Sequence, residues 1–500
     1  MSCVDPSLGS ETPRAERKVA MKLRRTAIAL AAWTALSAAA QTSPPAPPAP
    51  PPDGAHATPS LYWKSGSHRI DLGAGARVRM EGWDTFSATN PDWDWFTGTR
   101  LRLSLRYAYG AKVAFFVEGQ HARVQGLDAD SAAPVRNYFT TGGLDSGAQG
   151  TSVRQAFVEL RPAEGIALRA GRQDIKLGGE VSYAEPNWKY LKAARLGERL
   201  IGTVGWSHVE RSNDGGTLMI DTGEHALYLF AARPTTGAFD ADSAYRPQRG
   251  LVYGGAAFTA KRGEWLPNTE LGAFAIAYDD DRDTTAGGIA GGVDVYTLGA
   301  SALGVYPVGA AQLDALAWFA GQTGDYAGLD HGAYAGLFEV GIQFPAWFGK
   351  PWLRAGINFA SGDSDPADGE HDTFFNLLPT NHMYYGFADQ VAFQNLKNPF
   401  VQLRFAPHEK LSLNAFIHYF ALMEADDARY GGTGAFSRTS FGYAASPSGG
   451  ARSIGVEYDL VATLALHKAL TLELGVSHLD AGRVMPGDVD FAYLSVDFKY

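Results

Sequence analysis

The fold class read from this sequence is all-β: a transmembrane antiparallel β-barrel of about 18 strands, with short periplasmic turns and long extracellular loops. Three observations lead there. The last ten residues alternate in polarity to the final position, similar alternation recurs from residue 68 onward, and the connections are alternately short and long.

In the last ten residues, Ala492, Leu494, Val496, Phe498 and Tyr500 fall on one face and Tyr493, Ser495, Asp497 and Lys499 on the other. Side chains on a strand point to opposite faces in turn. A closed barrel can end in mid-strand, because its last strand pairs with its first and leaves no edge. A terminal strand ending in an aromatic is also the segment expected to engage the barrel-assembly machinery. A large soluble sandwich or propeller would bury alternating strands too, but it explains neither the terminal strand nor the turn asymmetry.

The front of the chain reads as a targeting region. Met21-Lys22-Leu23-Arg24-Arg25 is a basic n-region, Thr26 to Leu36 a short apolar core and Ala38-Ala39-Ala40 a cleavage site. We therefore expect an over-extended start over 1–20, a cleaved signal over 21–40, a proline-rich periplasmic linker over 41–62 and the barrel over 63–500. The expected location is the outer membrane of a Gram-negative bacterium. The single cysteine, Cys3, precedes the signal, so the mature chain carries no disulfide framework, thiolate metal site, thiol nucleophile or lipoprotein anchor.

Composition agrees with this class. There are 58 glycines and 12% aromatics, and no apolar run outside the signal approaches about 20 residues, which excludes helical spans. A net charge of −10 argues against nucleic acid as a partner.

Turn residues divide the chain into strands near 68–86, 97–109, 111–123, 151–161, 165–173, 214–222, 224–233, 249–262, 265–279, 292–306, 310–322, 333–345, 350–361, 397–406, 409–423, 449–466, 470–480 and 490–500. Short turns include 109–111, 161–165, 222–224, 261–264, 307–309, 406–409 and 467–469. Long loops cover 124–150, 174–213, 234–248, 280–291, 362–396, 424–448 and 481–488. An even strand count puts both ends on the periplasmic side. Trp83, Trp93, Trp95, Tyr107, Tyr109, Trp318, Phe344, Trp347 and Trp352 lie near strand ends, as interfacial girdles do.

Parity assigns the lumen. Leu101, Leu103, Leu105 and Tyr107 alternate with Arg100, Arg102, Ser104 and Arg106. An arginine facing lipid at the midplane costs roughly 2–4 kcal/mol, so the arginine face points inward. The same argument places Arg77, Arg79, Arg169, Arg354 and Arg404 inward, with Arg154 and Arg172 near outer strand ends. Such a lumen attracts anions, and guanidinium grips carboxylates in a bidentate manner. Neutralising Arg100, Arg102 and Arg106 is then expected to spare folding and lower anion preference. Pairing with inward Glu118, Glu159, Glu457, Asp459 and Glu473 would instead make a structural salt network.

Chemistry beyond transport finds little footing. The loop holding Asp363, Asp365 and Asp368 is loosely calcium-like, but Asp368-Gly369 is one residue late for an EF-hand. Gly205-Trp206-Ser207-His208 is not a nucleophile elbow, and no His-Glu-x-x-His pattern occurs. We expect no enzyme, cofactor or resident metal.

Ala360-Ser361-Gly362-Asp363-Ser364-Asp365-Pro366-Ala367-Asp368-Gly369, then Leu378-Pro379-Thr380-Asn381-His382-Met383-Tyr384-Tyr385-Gly386-Phe387-Ala388-Asp389 and Gln394-Asn395-Leu396 resemble the alginate-export porin family. So do Arg154-Gln155-Ala156-Phe157-Val158-Glu159-Leu160, Ala170-Gly171-Arg172-Gln173-Asp174 and Gly455-Val456-Glu457-Tyr458-Asp459-Leu460. The resemblance implies an 18-stranded outer-membrane barrel whose arginine-rich pore passes an anionic polysaccharide. Lys176-Leu177-Gly178-Gly179-Glu180 and Arg211-Ser212-Asn213-Asp214-Gly215-Gly216 depart from the family pattern, which bears on cargo more than fold. The expected function is thus a passive channel for anionic solutes, such as a uronate oligomer or alginate. The alternatives are a small-carboxylate porin and an adhesion barrel with an occluded lumen. Expected partners are the polysaccharide or small organic anions, outer-membrane lipid and lipopolysaccharide.

Overall fold

The structure is a computed structural model that describes residues 61–85, 93–126, 147–238, 245–282, 292–432 and 445–500. The signal, residues 41–60 of the proline linker, Cys3 and parts of loops 124–150, 234–248, 280–291 and 424–448 lie outside the described residues; Leu61 and Tyr62, expected to end the linker, are already strand. The strands are β1 (Leu61–Ser65), β2 (His68–Asp84), β3 (Asp94–Tyr109), β4 (Val113–Gln125), β5 (Gly147–Leu160), β6 (Ile166–Gln173), β7 (Glu210–Asp221), β8 (His225–Ala238), β9 (Leu251–Ala260), β10 (Thr269–Asp280) and β11 (Val293–Val308). They continue as β12 (Ala311–Tyr326), β13 (Leu329–Gln343), β14 (Trp352–Ala360), β15 (Glu370–His371), β16 (Leu396–His408), β17 (Leu411–Ala421), β18 (Ala428–Tyr430), β19 (Ala445–Pro447), β20 (Ser453–His467), β21 (Leu470–Ala481) and β22 (Val489–Lys499).

All of these except β1, β15, β18 and β19 form a closed antiparallel barrel of 18 strands. Closure is the pairing of β22 with β2, from Gly75 opposite Lys499 to Asp84 opposite Asp490. The Ala74 N–H donates to the Tyr500 carbonyl at 3.0 Å, and the Tyr500 N–H donates back at 2.8 Å. Below that point β2 would show an open edge over His68–Leu72. Strand β1 covers it: the chain reverses at Gly66, and Leu61–Ser65 pairs with that stretch. Every inter-strand group along β2 then has a partner, as a spanning sheet requires.

Several boundaries differ by a few residues from the sequence reading, and two of them change the wall. The strand expected near 214–222 begins earlier, at Glu210, so residues 210–213 are wall rather than loop. The stretch 323–332, expected to separate two strands, is strand except for a two-residue turn. Ala327 and Gly328 both take positive φ, at 57° and 88°, which matches the twist of a tight hairpin. The Asp325 carboxylate accepts the Gly328 N–H at 2.9 Å.

The faces follow the alternation. Leu101, Leu103 and Leu105 point outward to lipid, while Arg100 and Arg102 are buried inside. The aromatic girdle is narrower than expected. Trp93, Trp95, Tyr109 and Trp347 are exposed, but Trp83, Trp318 and Trp352 are buried in the lumen. Trp83 stacks on Phe491 at 4.1 Å. Aromatic type at a strand end does not choose a face; parity does. Leu103, 61% exposed on the lipid face, tests this orientation: Leu103→Arg should cost about 2–4 kcal/mol, read as a lower urea midpoint in lipid vesicles.

Candidate functional site

Two of the long connections turn inward and fill the middle of the lumen. The first is 174–209. It carries helix α1 (Pro186–Leu191), started by Pro186 in its first turn, and one π-helical turn over Lys192–Leu196. The second is 361–395. Its Phe374, Phe375, Leu378, Tyr384 and Tyr385 are each at most 1% exposed.

The two loops hydrogen-bond to each other. Gly202 N–H donates to Leu378 O at 2.8 Å, Leu378 N–H to Leu200 O at 2.8 Å and Thr380 N–H to Glu198 O at 2.9 Å. The Glu198 carboxylate ties this junction. It meets Lys176 at 2.7 Å and accepts the Thr380 hydroxyl at 2.8 Å and the Thr203 N–H at 3.0 Å. Burial pushes this carboxyl up, but Lys176 and these donors outweigh it and hold it below the usual carboxylate range.

Each loop is also fastened to the wall. Trp206 lies between the Arg79 guanidinium, 3.6 Å from its ring, and the His382 ring, 3.7 Å away. His382 meets Asp389 at 2.9 Å. A side chain at Gly98 would occupy the place of the His208 ring, so only glycine fits behind the first loop there. Gly386, at φ 82°, turns the second loop over the Glu457 carboxylate.

The deep arginines are paired by two carboxylate centres. On the β3–β7 side, Glu210 meets Arg100 at 2.7 Å, Arg102 at 2.9 Å and Arg154 at 3.2 Å. Arg154 also meets Glu118 at 2.5 Å and Asp174 at 2.7 Å. On the opposite side, Glu339 of β13 meets Arg195 at 2.7 Å, Arg199 at 3.2 Å and Arg354 at 2.7 Å. Arg354 further pairs with Asp314. Arg195 and Arg199 come from the first inserted loop, so Glu339 joins plug and wall. Arg79 pairs with Glu81 at 2.7 Å and Arg77 with Asp497 at 2.7 Å.

Charge is handled differently at the periplasmic end. Arg69 is 43% exposed and Arg106 37% exposed. Arg106 comes no nearer to a carboxylate than 3.9 Å, at Asp71, and 4.0 Å, at Glu159. Arg161 and Arg169 share Glu159 at 2.9 and 2.7 Å. Arg404 makes no ion pair among the described residues; its guanidinium lies over Tyr190 at 3.7 Å.

Placement of the sequence-selected residues is therefore uneven. Arg77, Arg79, Arg100, Arg102, Arg106, Arg154, Arg169, Arg354 and Arg404 point inward. Arg154 sits in mid-strand rather than near an outer end. Arg172 is not in the lumen: it shares the outward face of Leu168 and pairs with Asp214 at 2.7 Å. The neighbouring acid lets an arginine stand on that face near the rim, where charge costs little. Parity could have found Glu339 and Asp314, but nothing in the local pattern marks Arg195 or Arg199. The Asp363, Asp365 and Asp368 carboxylates accept the N–H groups of Asp365, Ala367 and Glu370. They shape the loop as successive turns, and no metal-binding group of three appears among the described residues.

Comparison with known proteins bears on the whole barrel. The family model described as alginate export matches residues 68–490. No curated protein matches the chain. Among solved structures, the outer membrane protein opdK of Pseudomonas aeruginosa is similar at 13% identity and a TM-score of 0.51, over 86% of this chain and 99% of that one. The same protein solved with vanillate gives 14% identity and 0.51, over 86% and 98%. OccAB1 of Acinetobacter baumannii gives 11% and 0.54, over 86% and 96%. At these identities the likeness speaks to fold.

The Glu339 centre sets an expectation. Glu339→Gln keeps the volume but leaves Arg195 and Arg199 with no carboxylate and Arg354 with Asp314 alone. Losing one partner of a buried pair costs about 3–5 kcal/mol. The first loop should loosen, seen as raised bilayer conductance and new protease cleavage within 174–209.

Proposed function

This chain belongs to the alginate export family, and on that premise we propose that it is an outer-membrane channel passing anionic solutes, foremost a uronate oligomer or an acidic polysaccharide such as alginate. The observation that carries this reading is the excess of accessible guanidinium at the periplasmic mouth. Arg69, Arg106, Arg161 and Arg169 face only Asp71 and Glu159 in their ion-pair cluster, and Arg404 faces no carboxylate partner among the described residues. A basic mouth with low-dielectric walls concentrates anions, and planar guanidinium favours carboxylates.

The deep arginines act in a second way. Already neutralised by Glu210 and Glu339, they hold the inserted loops in place. A passing anion would have to exchange with those carboxylates or travel beside them as the loops yield. The second reading, a channel for small carboxylates, is favoured by the two loops that narrow the lumen and by the fold shared with opdK, which was solved with vanillate. An adhesion barrel would keep the same loops permanently shut. In this proposal residues 21–40 direct export, the strand ending at Tyr500 is offered to the barrel-assembly machinery, and lipopolysaccharide surrounds the outer rim.

Reversal potential in a planar bilayer under a salt gradient tests the reading. The refolded chain should prefer anions and be blocked by oligouronate. The Arg106→Gln, Arg169→Gln, Arg404→Gln triple variant leaves Asp71 with Arg69 and Glu159 with Arg161, so it should fold normally and lose much of that preference. A cation-selective wild type, or a triple variant of unchanged selectivity, overturns it. Arg100 and Arg102 are unsuitable for this purpose, because removing them leaves the buried Glu210 carboxylate with Arg154 alone and weakens the packing first.

A further inference from the structure

Helix α1 lays Asn187 and Tyr190 against the inner ends of β12, β14, β16 and β17. The side chains there form a connected plate. Arg404 stacks 3.7 Å over Tyr190, and Tyr190 meets Trp352 edge-on at 5.3 Å. Gln402 donates from Nε2 to the Tyr190 hydroxyl at 2.5 Å and to Asn414 Oδ1 at 2.7 Å. Asn187 Nδ2 donates to Gln312 Oε1 at 2.7 Å, and Trp352 Nε1 donates to Asp314 at 2.7 Å. The stacking holds the Arg404 guanidinium flat while its N–H edge stays unused among the described residues. Asn414 Nδ2 and Gln312 Nε2 are likewise unused among them.

We propose that this plate is a subsite for one carboxylate-bearing pyranose ring, a uronate residue, engaged from the periplasmic side. The inference rests on the channel reading and deepens it by naming where the solute first docks. A flat guanidinium with a free edge takes a carboxylate in two parallel hydrogen bonds. The amide of Asn414, directly opposite Arg404 in the register of β16 and β17, offers a donor to a hydroxyl group of the same ring. An aromatic acid fits less well. One face of Tyr190 is covered by Arg404, and Trp352 is only 3% exposed, so little aromatic surface remains for a flat ring. Arg354, two residues along β14 from Trp352, is the next guanidinium inward, and beyond it stand Arg195 and Arg199 on Glu339. The subsite is thus the unpaired first step of a paired arginine column.

Calorimetry on the detergent-solubilised full chain tests this without requiring an open pore. Trigalacturonate should bind wild type, and Arg404→Gln should weaken it by about tenfold or more. Arg404→Lys, which keeps charge but not the planar fork, should also bind weakly, and maltotriose should not bind. Circular dichroism checks that each variant is folded. In bilayers, trigalacturonate should block at lower concentration from the periplasmic side. Equal affinity in wild type and Arg404→Gln, no binding to wild type, or tighter Arg404-dependent binding of benzoate than of trigalacturonate would each overturn the subsite. If the wild type is anion-selective in those cases, the channel reading stands. A cation-selective wild type removes the channel reading whatever calorimetry gives.

Discussion

The interior of this barrel depends on the buried pairing of guanidinium groups with a few carboxylates. Glu339 receives Arg195, Arg199 and Arg354, and Glu210 receives Arg100, Arg102 and Arg154. Burying such charges is costly unless each is paired and hydrogen-bonded. The inserted loop supplies the missing partners on one side, and the wall supplies them on the other. Neither the position of α1 nor the narrowing of the lumen makes sense without that exchange.

The same chemistry serves two ends at two depths. In the dry middle, arginine is a fastener whose charge is spent on the protein. At the wet periplasmic mouth, Arg69 is exposed though bonded to Asp71 at 2.6 Å, Arg106 is exposed and only loosely paired, and Arg404 is held flat without a carboxylate. An exposed ion pair is worth little, so these side chains can trade a protein partner for a solute at small cost. The plate around Tyr190 joins the two regimes, because α1 both plugs the lumen and orients the first free guanidinium.

Much of the wall could be read from the chain. The alternation of Leu101, Leu103 and Leu105 with Arg100, Arg102 and Arg106 orients β3 without further information, because lipid penalises each misplaced charge locally. The same reasoning failed at Arg172, which stands outside beside Asp214 near the rim, where the penalty fades. It also failed for Trp83, Trp318 and Trp352, since an aromatic suits either an interface or a packed lumen. The turn at Ala327-Gly328 lacks the usual Asn-Gly or Asp-Gly signal and was hidden inside a stretch of polar residues.

The sequence by itself determined the barrel, its strand number, its closure at Tyr500 and the inward direction of all but one of the arginines it selected. Each of these is imposed residue by residue, by strand parity and by the hydrocarbon around the wall. Only the tertiary structure decided which arginines are spent and which are free. That depends on partners far apart in the chain: Arg195 and Glu339 are 144 residues apart, and Tyr190 meets Gln402 across 212. A pairing across such distances has no local period to betray it, because it forms only when a loop folds back into the lumen.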